Sequence, residues 1–159
     1  MKQKTLSRLL KLAIIVVGVC GLFVYAVILP SYGQSIVAQY PEFENRFLPW
    51  LIFLCLSGVP CYTVLILGWI ITGNVANDES FTLKNANLFK WISWLALGDS
   101  IYFFAGNVFL LFANMSHPGV ALMSLIVVFA GITIAVAAAV LSRLIERAAC
   151  LQEQSDLTI

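Results

Sequence analysis

One acidic side chain, Asp99, lies inside a long apolar stretch, and its type and position are the first in this sequence that suggest chemistry. Insertion scales charge about 2.5 to 3.5 kcal/mol for a charged side chain at the centre of a membrane helix. Residues of this kind face the interior of a helix bundle, where they are paired, protonated or functional. Asp99 therefore indicates either a structural hydrogen-bond network or a site that binds or passes a proton, a cation or another ligand.

The surroundings of Asp99 in the sequence favour hydrogen bonds over an ion pair. The apolar stretches contain no Lys, Arg or His, so a cation would have to reach inward from a flanking residue along its aliphatic stem. A neutral acid held by hydrogen bonds costs less. Because a single acid makes a poor proton relay, we favour a structural network over transport. The expected hydrogen-bond donors are Ser57, Tyr62, Thr63 and Asn107.

The composition shows what kind of protein would hold such a group. Hydrophobic residues make up 61% of the 159 residues and charged residues only 11%, whereas a soluble domain has about 25% charged residues. Lipid must therefore be the solvent. The net charge of +1 offers no basic surface, so direct binding of nucleic acid is not expected.

Four apolar runs are long enough to cross a bilayer, which takes about 20 residues in a helix. They cover approximately residues 12–29, 48–71, 91–112 and 120–141. The first run ends at Pro30 and is longer than the apolar part of a signal peptide, so we expect an uncleaved first helix. The sequence predicts an all-α, polytopic membrane protein, in which residues 1–159 form one domain built on a four-transmembrane-helix bundle.

The basic residues flanking these runs predict the orientation, because short loops rich in Lys and Arg stay in the cytoplasm. One side of the membrane would hold Arg46 alone. The other would hold Lys2, Lys4, Arg8, Lys11, Lys84, Lys90, Arg143 and Arg147. We therefore expect a multi-pass protein of the cell (inner) membrane, with both termini, a loop over residues 72–90 and a tail over residues 142–159 in the cytoplasm.

Glycine, alanine and proline mark the expected helix contacts. Gly58 and Pro60 predict a kink in the second helix, because proline removes a backbone hydrogen bond and crowds the preceding turn. Small residues allow membrane helices to approach closely. Those expected to do so are Gly106 in the third helix and Gly131, Ala135 and Ala139 in the fourth. Their stripe would pack inside one bundle or, alternatively, join two chains in a homo-oligomer.

No catalytic constellation is present. HExxH, CxxC, Ser/His/Asp and paired intramembrane acids are all absent, so we expect neither an enzyme nor a bound metal or cofactor. The four cysteines are interpreted as small buried apolar residues, with a redox role as the alternative. They are Cys20, Cys55, Cys61 and Cys150.

Two cytoplasmic segments complete the pattern. Thr82 is a plausible N-cap, so the third helix is expected to begin at Leu83, before it enters the membrane. The fourth helix is expected to continue beyond Leu141 as an amphipathic helical extension. Its apolar stripe includes Leu144 and Leu151 and needs the inner leaflet, the loop of the same chain or a partner protein to cover it.

These two segments resemble the signatures of domain-of-unknown-function family 2975, the YoaS-like bacterial membrane proteins. The loop signature is Glu79-Ser80-Phe81-Thr82-Leu83-Lys84-Asn85, with Lys90 beyond it. The tail signature is Arg147-Ala148-Ala149-Cys150-Leu151-Gln152-Glu153-Gln154-Ser155-Asp156-Leu157-Thr158-Ile159. The resemblance implies a four-helix bacterial inner-membrane protein without catalytic residues, of a kind often encoded beside a small helix-turn-helix regulator.

The leading hypothesis is a non-enzymatic regulatory or scaffold component, because the motifs that carry the resemblance face the cytoplasm. It would bind a cytoplasmic protein, for which a helix-turn-helix regulator is a candidate. The expected contact residues are Phe81, Thr82, Asn85, Arg147, Leu151, Asp156 and Leu157. The alternative is a small transporter, a channel or an accessory subunit that uses Asp99 as its polar site.

Overall fold

The computed structural model describes residues 3–116 and 118–156, except for the side chains at positions 43 and 156. Every regular element in these ranges is helical. The helices are α1 (Gln3–Phe23), a π-helical turn (Val24–Ile28), α2 (Leu29–Gln39), a 3₁₀ helix (Pro41–Arg46), α3 (Phe47–Ala76), α4 (Leu83–Phe112) and α5 (Pro118–Asp156). Four continuous helical stretches are long and apolar enough to cross a membrane, the first of them joining α1, the π turn and α2. The protein is therefore an all-α membrane protein with four candidate spans.

The first helix does not end at Pro30, contrary to the expectation from the sequence. Proline normally breaks a helix because it has no N–H group and clashes with the carbonyl four residues earlier. Here the π turn widens the helix just before the proline, and the Leu29 amide bonds to the Val24 carbonyl, five residues back. Pro30 then occupies the first turn of α2, where a missing N–H is tolerated, and the helix continues to Gln39.

The second span, α3, remains helical on both sides of Pro60. Gly58, two residues before Pro60, lies directly against the ring of Tyr25 from the π turn. A Cβ atom added at Gly58 would come within 3.2 Å of the Tyr25 ring, so only glycine leaves the ring its full space. The structure thus gives Gly58 a packing role, while the expected kink at Gly58 and Pro60 remains a prediction.

The start of α4 confirms the expected cap. Thr82 has an extended backbone, and its side chain accepts a hydrogen bond from the Asn85 amide, so α4 begins at Leu83. The predicted extension of the fourth span is also present. Helix α5 runs unbroken for 39 residues, a length of about 58 Å at 1.5 Å per residue, against about 30 Å of hydrocarbon.

Helices that follow one another along the chain also pack against one another: α1 and α2 against α3, α3 against α4, and α4 against α5. We call the end of the bundle with Gln3, residues 77–82 and Asp156 the terminal end. The other end, with the 3₁₀ helix and residues 113–116, is the turn end. Each end has a small apolar core. Trp50, Leu54 and Leu110 form the core at the turn end, and Ile71, Ile92 and Ala138 form the core at the terminal end.

The most extensive helix contact lies between α4 and α5 and involves the small-residue stripe. A Cβ atom at Gly131 would collide with Ser100 of α4, and Ala135 is only 3% exposed. The Ser93 hydroxyl donates to the Ala135 carbonyl at 2.8 Å. Ala139 is half-buried on the same side. The stripe therefore packs inside one chain, against α4.

The loop between α3 and α4 is held by two asparagine side chains. Asn85, which is 0% exposed, accepts a hydrogen bond from the Asn74 side chain at 2.6 Å. Its amide group donates to the carbonyls of Glu79 and Ser80 at 2.8 and 3.1 Å. These bonds satisfy loop carbonyls that have no helical partner, so the loop is a fixed part of the bundle.

We expect Gly131→Leu to lower the free energy of unfolding by about 1 to 3 kcal/mol, because the new side chain overpacks the contact with α4. Thermal unfolding in a mild detergent measures the change. Gly98→Leu is the matched control, since a Cβ atom at Gly98 meets nothing within 4 Å. Equal stability of the two variants would contradict the close α4–α5 contact.

We expect Asn85→Ala to free the loop between α3 and α4, because the Asn74 amide and two loop carbonyls lose their partner at about 1 to 3 kcal/mol for each buried group. Hydrogen exchange of residues 77–82 should accelerate strongly. Asn87→Ala is the control, because Asn87 is exposed on the same helix. Unchanged exchange in Asn85→Ala would show that the loop does not depend on this side chain.

Candidate functional site

A polar cluster lies between the two apolar cores, about midway along the spans. We define it as Tyr25, Ser57, Cys61 and Asp99. The π turn supplies Tyr25, α3 supplies Ser57 and Cys61, and α4 supplies Asp99. Single π turns inside α-helices are frequent at functional sites, because the extra residue redirects the side chains around it. The cluster therefore brings three helices together at one depth.

Asp99 has little hydrogen bonding in this cluster. Its Oδ2 atom accepts a hydrogen bond from the Cys61 thiol at 3.6 Å, and a thiol is a weak donor. Its Oδ1 atom is buried and has no hydrogen-bond partner in the described part of the chain. A buried acceptor of this kind costs free energy that a structural network would recover. The structure thus leaves Asp99 able to accept or share one further hydrogen.

The four donors expected for Asp99 all bond elsewhere, so that expectation was wrong. Thr63 and Asn107 bond to carbonyls of their own helices, those of Val59 and Phe103. Tyr62 donates to the Gly18 carbonyl of α1 at 2.8 Å. Ser57 donates to the Leu54 carbonyl and lies 3.3 Å from the Tyr25 hydroxyl.

None of the basic residues that could have reached inward forms an ion pair with Asp99 in the described part of the chain. Lys11 instead lies over the ring of Trp69, with its Nζ atom 5.2 Å from the ring centre. This cation–π contact holds the ammonium near the terminal end of the first span. Asp99 is therefore a carboxyl group without a neighbouring cation.

Cys61 and Tyr25 are the cluster residues that the sequence did not reveal. The cysteines were expected to be buried, but all four are exposed on the helix surfaces, and Cys61 is a hydrogen-bond donor. The Tyr25 hydroxyl also lies beside the Cys61 thiol. A signal was available, since Tyr25 is the one hydroxyl-bearing side chain of the apolar run at residues 12–29 and lies five residues before Pro30. The helix pairing that brings Tyr25 to α3 is not encoded in any local pattern.

A groove between α3 and α4 leads to Asp99 from the outer surface of the bundle. Its volume is about 360 Å³. Val59 and Trp94 on its rim are 62% and 61% exposed, so the groove opens toward lipid. It is lined by Leu56, Val59, Pro60, Trp94, Leu95, Gly98, Asp99 and Tyr102. Gly106, further along α4, packs tightly against Phe53 and is a contact residue.

Apart from the hydroxyl groups of Tyr25 and Ser57, the polar cluster contains one carboxyl group and one thiol. Within residues 3–116 and 118–156, no three His, Cys, Asp or Glu side chains come together in a way that could hold a metal ion. Tyr102 bonds to the Phe53 carbonyl at 3.2 Å, so its hydroxyl is already engaged. The arrangement can bind or exchange one proton or accept one hydrogen bond.

The second set of predicted site residues lies at the terminal end. Phe81 is 58% exposed and Leu151 is 67% exposed, and Arg147 is also exposed. Thr82 and Asn85 instead have internal roles, in the α4 cap and in the loop. Asp156 is the last described residue of α5, and Leu157 lies outside the described residues.

Comparison with known proteins agrees with this architecture. The family model for proteins of unknown function designated DUF2975 matches residues 31–159. The chain is also 27% identical over 154 residues to the uncharacterized membrane protein YoaS of Bacillus subtilis (strain 168), an alignment that covers 94% of this chain and 95% of that protein. No solved structure matches the chain. The family match spans α2 to α5 and both the loop and tail segments, and the chain therefore belongs to the DUF2975 family.

Proposed function

We propose that this protein is a non-enzymatic regulatory or scaffold component of a bacterial cell membrane. Both of its ends would lie in the cytoplasm, where it would hold or control a cytoplasmic protein. A small helix-turn-helix regulator is one candidate for that protein, by the family resemblance alone. The observation that carries the proposal is an exposed apolar surface at the terminal end, formed by side chains of the α3–α4 loop, the start of α4 and the end of α5.

The charge distribution supports the orientation. Eight of the nine Lys and Arg residues belong to the terminal end by sequence, and Arg46 alone belongs to the turn end. Membrane proteins retain their Lys- and Arg-rich short loops in the cytoplasm. The terminal end is therefore the cytoplasmic end in our proposal.

The exposed surface contains four large apolar side chains. Phe81 and Leu83 are 58% and 50% exposed at the loop and the start of α4, and Leu144 and Leu151 are 57% and 67% exposed on α5. Leu144 and Leu151 are seven residues apart, so they lie on one face of the helix. Apolar surface outside lipid indicates an interaction site when its members are contiguous.

Two other ways to cover this surface are disfavoured by the geometry. Helix α5 is unbroken from Pro118 to Asp156, so its end continues in the direction of the span and cannot lie flat on the membrane. The start of α4 covers only part of the extension, where the Ser142 hydroxyl donates to the Ala86 carbonyl at 2.7 Å. Leu144 and Leu151 remain exposed beyond that contact, which supports a partner protein.

The chemistry of the surface indicates what the partner segment carries. A shallow groove of about 600 Å³ follows the side of α5 and is lined by Arg143, Glu146, Arg147, Cys150, Leu151 and Gln154. Two guanidinium groups and one carboxylate beside a leucine favour a helix with apolar residues at helical spacing and more acidic than basic side chains beside them. The fixed α3–α4 loop adds Phe81 at a constant position.

We expect the double variant Leu144→Asp, Leu151→Asp to insert normally but to lose its cytoplasmic partner, because charges replace the apolar face. A photo-crosslinking residue at position 154 in living cells would identify the captured protein. That protein, purified, should bind the parent in nanodiscs and bind the double variant at least tenfold more weakly.

The control for this experiment is Leu122→Asp, which introduces the same charge at another exposed leucine of α5. Leu122 is 67% exposed near the turn end of α5, away from the proposed surface. Membrane insertion of this variant is checked before its binding is compared with that of the parent. Equal binding of the purified protein to the parent and to the double variant would overturn the proposed surface.

A second candidate function is passage of a proton or a cation at Asp99. The observation that favours it is the buried Oδ1 atom without a partner, beside a groove open to lipid. A structural carboxyl group would be expected to have satisfied oxygens. In this candidate the protein would be a small transporter, a channel or an accessory subunit.

We expect Asp99→Asn and Asp99→Leu to separate these functions. Among the described residues, Asp99 accepts a hydrogen bond only from the weak thiol donor of Cys61, so both variants should stay within about 1 kcal/mol of the parent in unfolding free energy. If Asp99 passes protons, both should lose flux in proteoliposomes that contain a pH-sensitive dye. Thr63→Ala, which removes only a bond within α3, is the control. A parent protein without flux would exclude proton passage.

A further inference from the structure

A small cavity lies at the turn end, remote from both the Asp99 groove and the terminal surface. Its volume is about 30 Å³, and a cavity needs about 10 to 15 Å³ to hold one water molecule. It is therefore large enough for about two oxygen-sized atoms. The cavity is lined by Gly33, Ile36, Val37, Arg46, Phe47, Trp50, Met115, Ser116 and Val120.

One polar side chain in this cavity, that of Ser116, has no hydrogen-bond partner among the residues that the structure describes. Ser116 is 8% exposed, and its Oγ atom is buried. Most other serines with a described bond donate to a backbone carbonyl of their own or a neighbouring helix, as Ser124 does to Ala121 at 2.6 Å. A hydroxyl group buried without a bond costs about 1 to 3 kcal/mol. The Ser116 hydroxyl can therefore donate a hydrogen bond to a group bound inside the cavity.

The charges around the cavity favour an anion. Arg46, the only basic residue between Lys11 and Lys84, lines it. The first turn of α5 lines it as well, through Val120, whereas α3 continues directly from the 3₁₀ helix, with the Phe47 amide bonded to the Glu44 carbonyl. The start of a helix carries partial positive charge, so one helix start and a guanidinium meet at this place. Nearby Glu42 and Glu44 are exposed and do not line the cavity.

From this geometry we infer that the turn-end cavity binds a phosphate oxyanion, held by the Arg46 guanidinium and the Ser116 hydroxyl. A guanidinium fits two phosphate oxygens at once, and the cavity has room for about that number. The remainder of the ligand lies outside the opening, beside apolar side chains. The same chemistry is offered by free phosphate and by the phosphodiester of an anionic phospholipid, and the experiment separates these sources.

The experiment measures thermal unfolding of the whole purified protein in a neutral detergent, at constant ionic strength. The three probes are inorganic phosphate, dihexanoyl phosphatidylglycerol and dihexanoyl phosphatidylcholine. Binding to the folded state raises the unfolding temperature with increasing ligand, which gives an apparent Kd. The expected result is a rise with phosphatidylglycerol, with phosphate, or with both, and a much smaller rise with the zwitterionic phosphatidylcholine.

Two variants test the assigned residues. Arg46→Gln and Ser116→Ala should each raise the apparent Kd, Arg46→Gln by about tenfold or more, since it loses a charged hydrogen bond. Arg143→Gln at the other end and Ser35→Ala, whose exposed hydroxyl bonds only to the Tyr32 carbonyl, are the matched controls. Unfolding without ligand shows whether each variant is folded.

The outcomes divide as follows. A rise with phosphate as well as phosphatidylglycerol assigns a site for the free anion, and a rise with phosphatidylglycerol alone assigns a lipid headgroup. No rise with either probe overturns the site. A rise that both variants retain also overturns it, and loss in Arg46→Gln without loss in Ser116→Ala shows attraction to the surface guanidinium and overturns binding inside the cavity.

Discussion

Hydroxyl groups that donate to backbone carbonyls of a neighbouring helix hold this bundle together. Lipid is as apolar as the side chains it touches, so burial of leucine between helices gives little driving force in a membrane. Tyr62 bonds α3 to α1, Ser93 and Ser142 bond the α4–α5 pair, and Ser7 donates to the Thr72 carbonyl at 2.7 Å. Such bonds contribute about 0.6 to 2 kcal/mol each in membranes. Together with the small residues beside them, they determine which helices pair.

The same constraint explains why Asp99 is left with a thiol. The donors expected for it already have carbonyl acceptors: Tyr62 uses Gly18, Thr63 uses Val59 and Asn107 uses Phe103. In hydrocarbon an unpaired donor is costly in free energy, because no water replaces the missing partner. These donors therefore bond to the nearest carbonyl, which is always present, rather than to a distant carboxyl group. A polar group that such donors do not reach is thereby left available for a function.

Local pattern was sufficient to predict the helices but not their neighbours. The four apolar runs, the Thr82 cap and the long α5 follow from length, hydropathy and capping chemistry, and all are present. Pro30 was misjudged because a π turn, which has no sequence signature of its own, absorbs the proline. The partners of Asp99 were misjudged because they depend on rotation of α3 against α4. A rotation of this kind follows from close contacts such as Gly106 with Phe53, which only the folded chain reveals.

The structure also bears on how a membrane component of this kind could transmit a signal. In our proposal the partner contacts both the end of α5 and Phe81, and these two places are connected by a short chain of bonds. Ser142 of α5 donates to the Ala86 carbonyl, and Ala86 follows Asn85, which holds the loop carbonyls of Glu79 and Ser80. A shift of α5 against α4 must therefore either move the loop with it or break the Ser142 bond. Gly131 and Ala135 allow α4 and α5 to pack tightly, without space between them. The two helices would therefore move as one body, and the Ser142 bond would remain intact. Any rearrangement on partner binding would then occur in the first helix, because it is less buried: Ser7 is the only buried residue of α1.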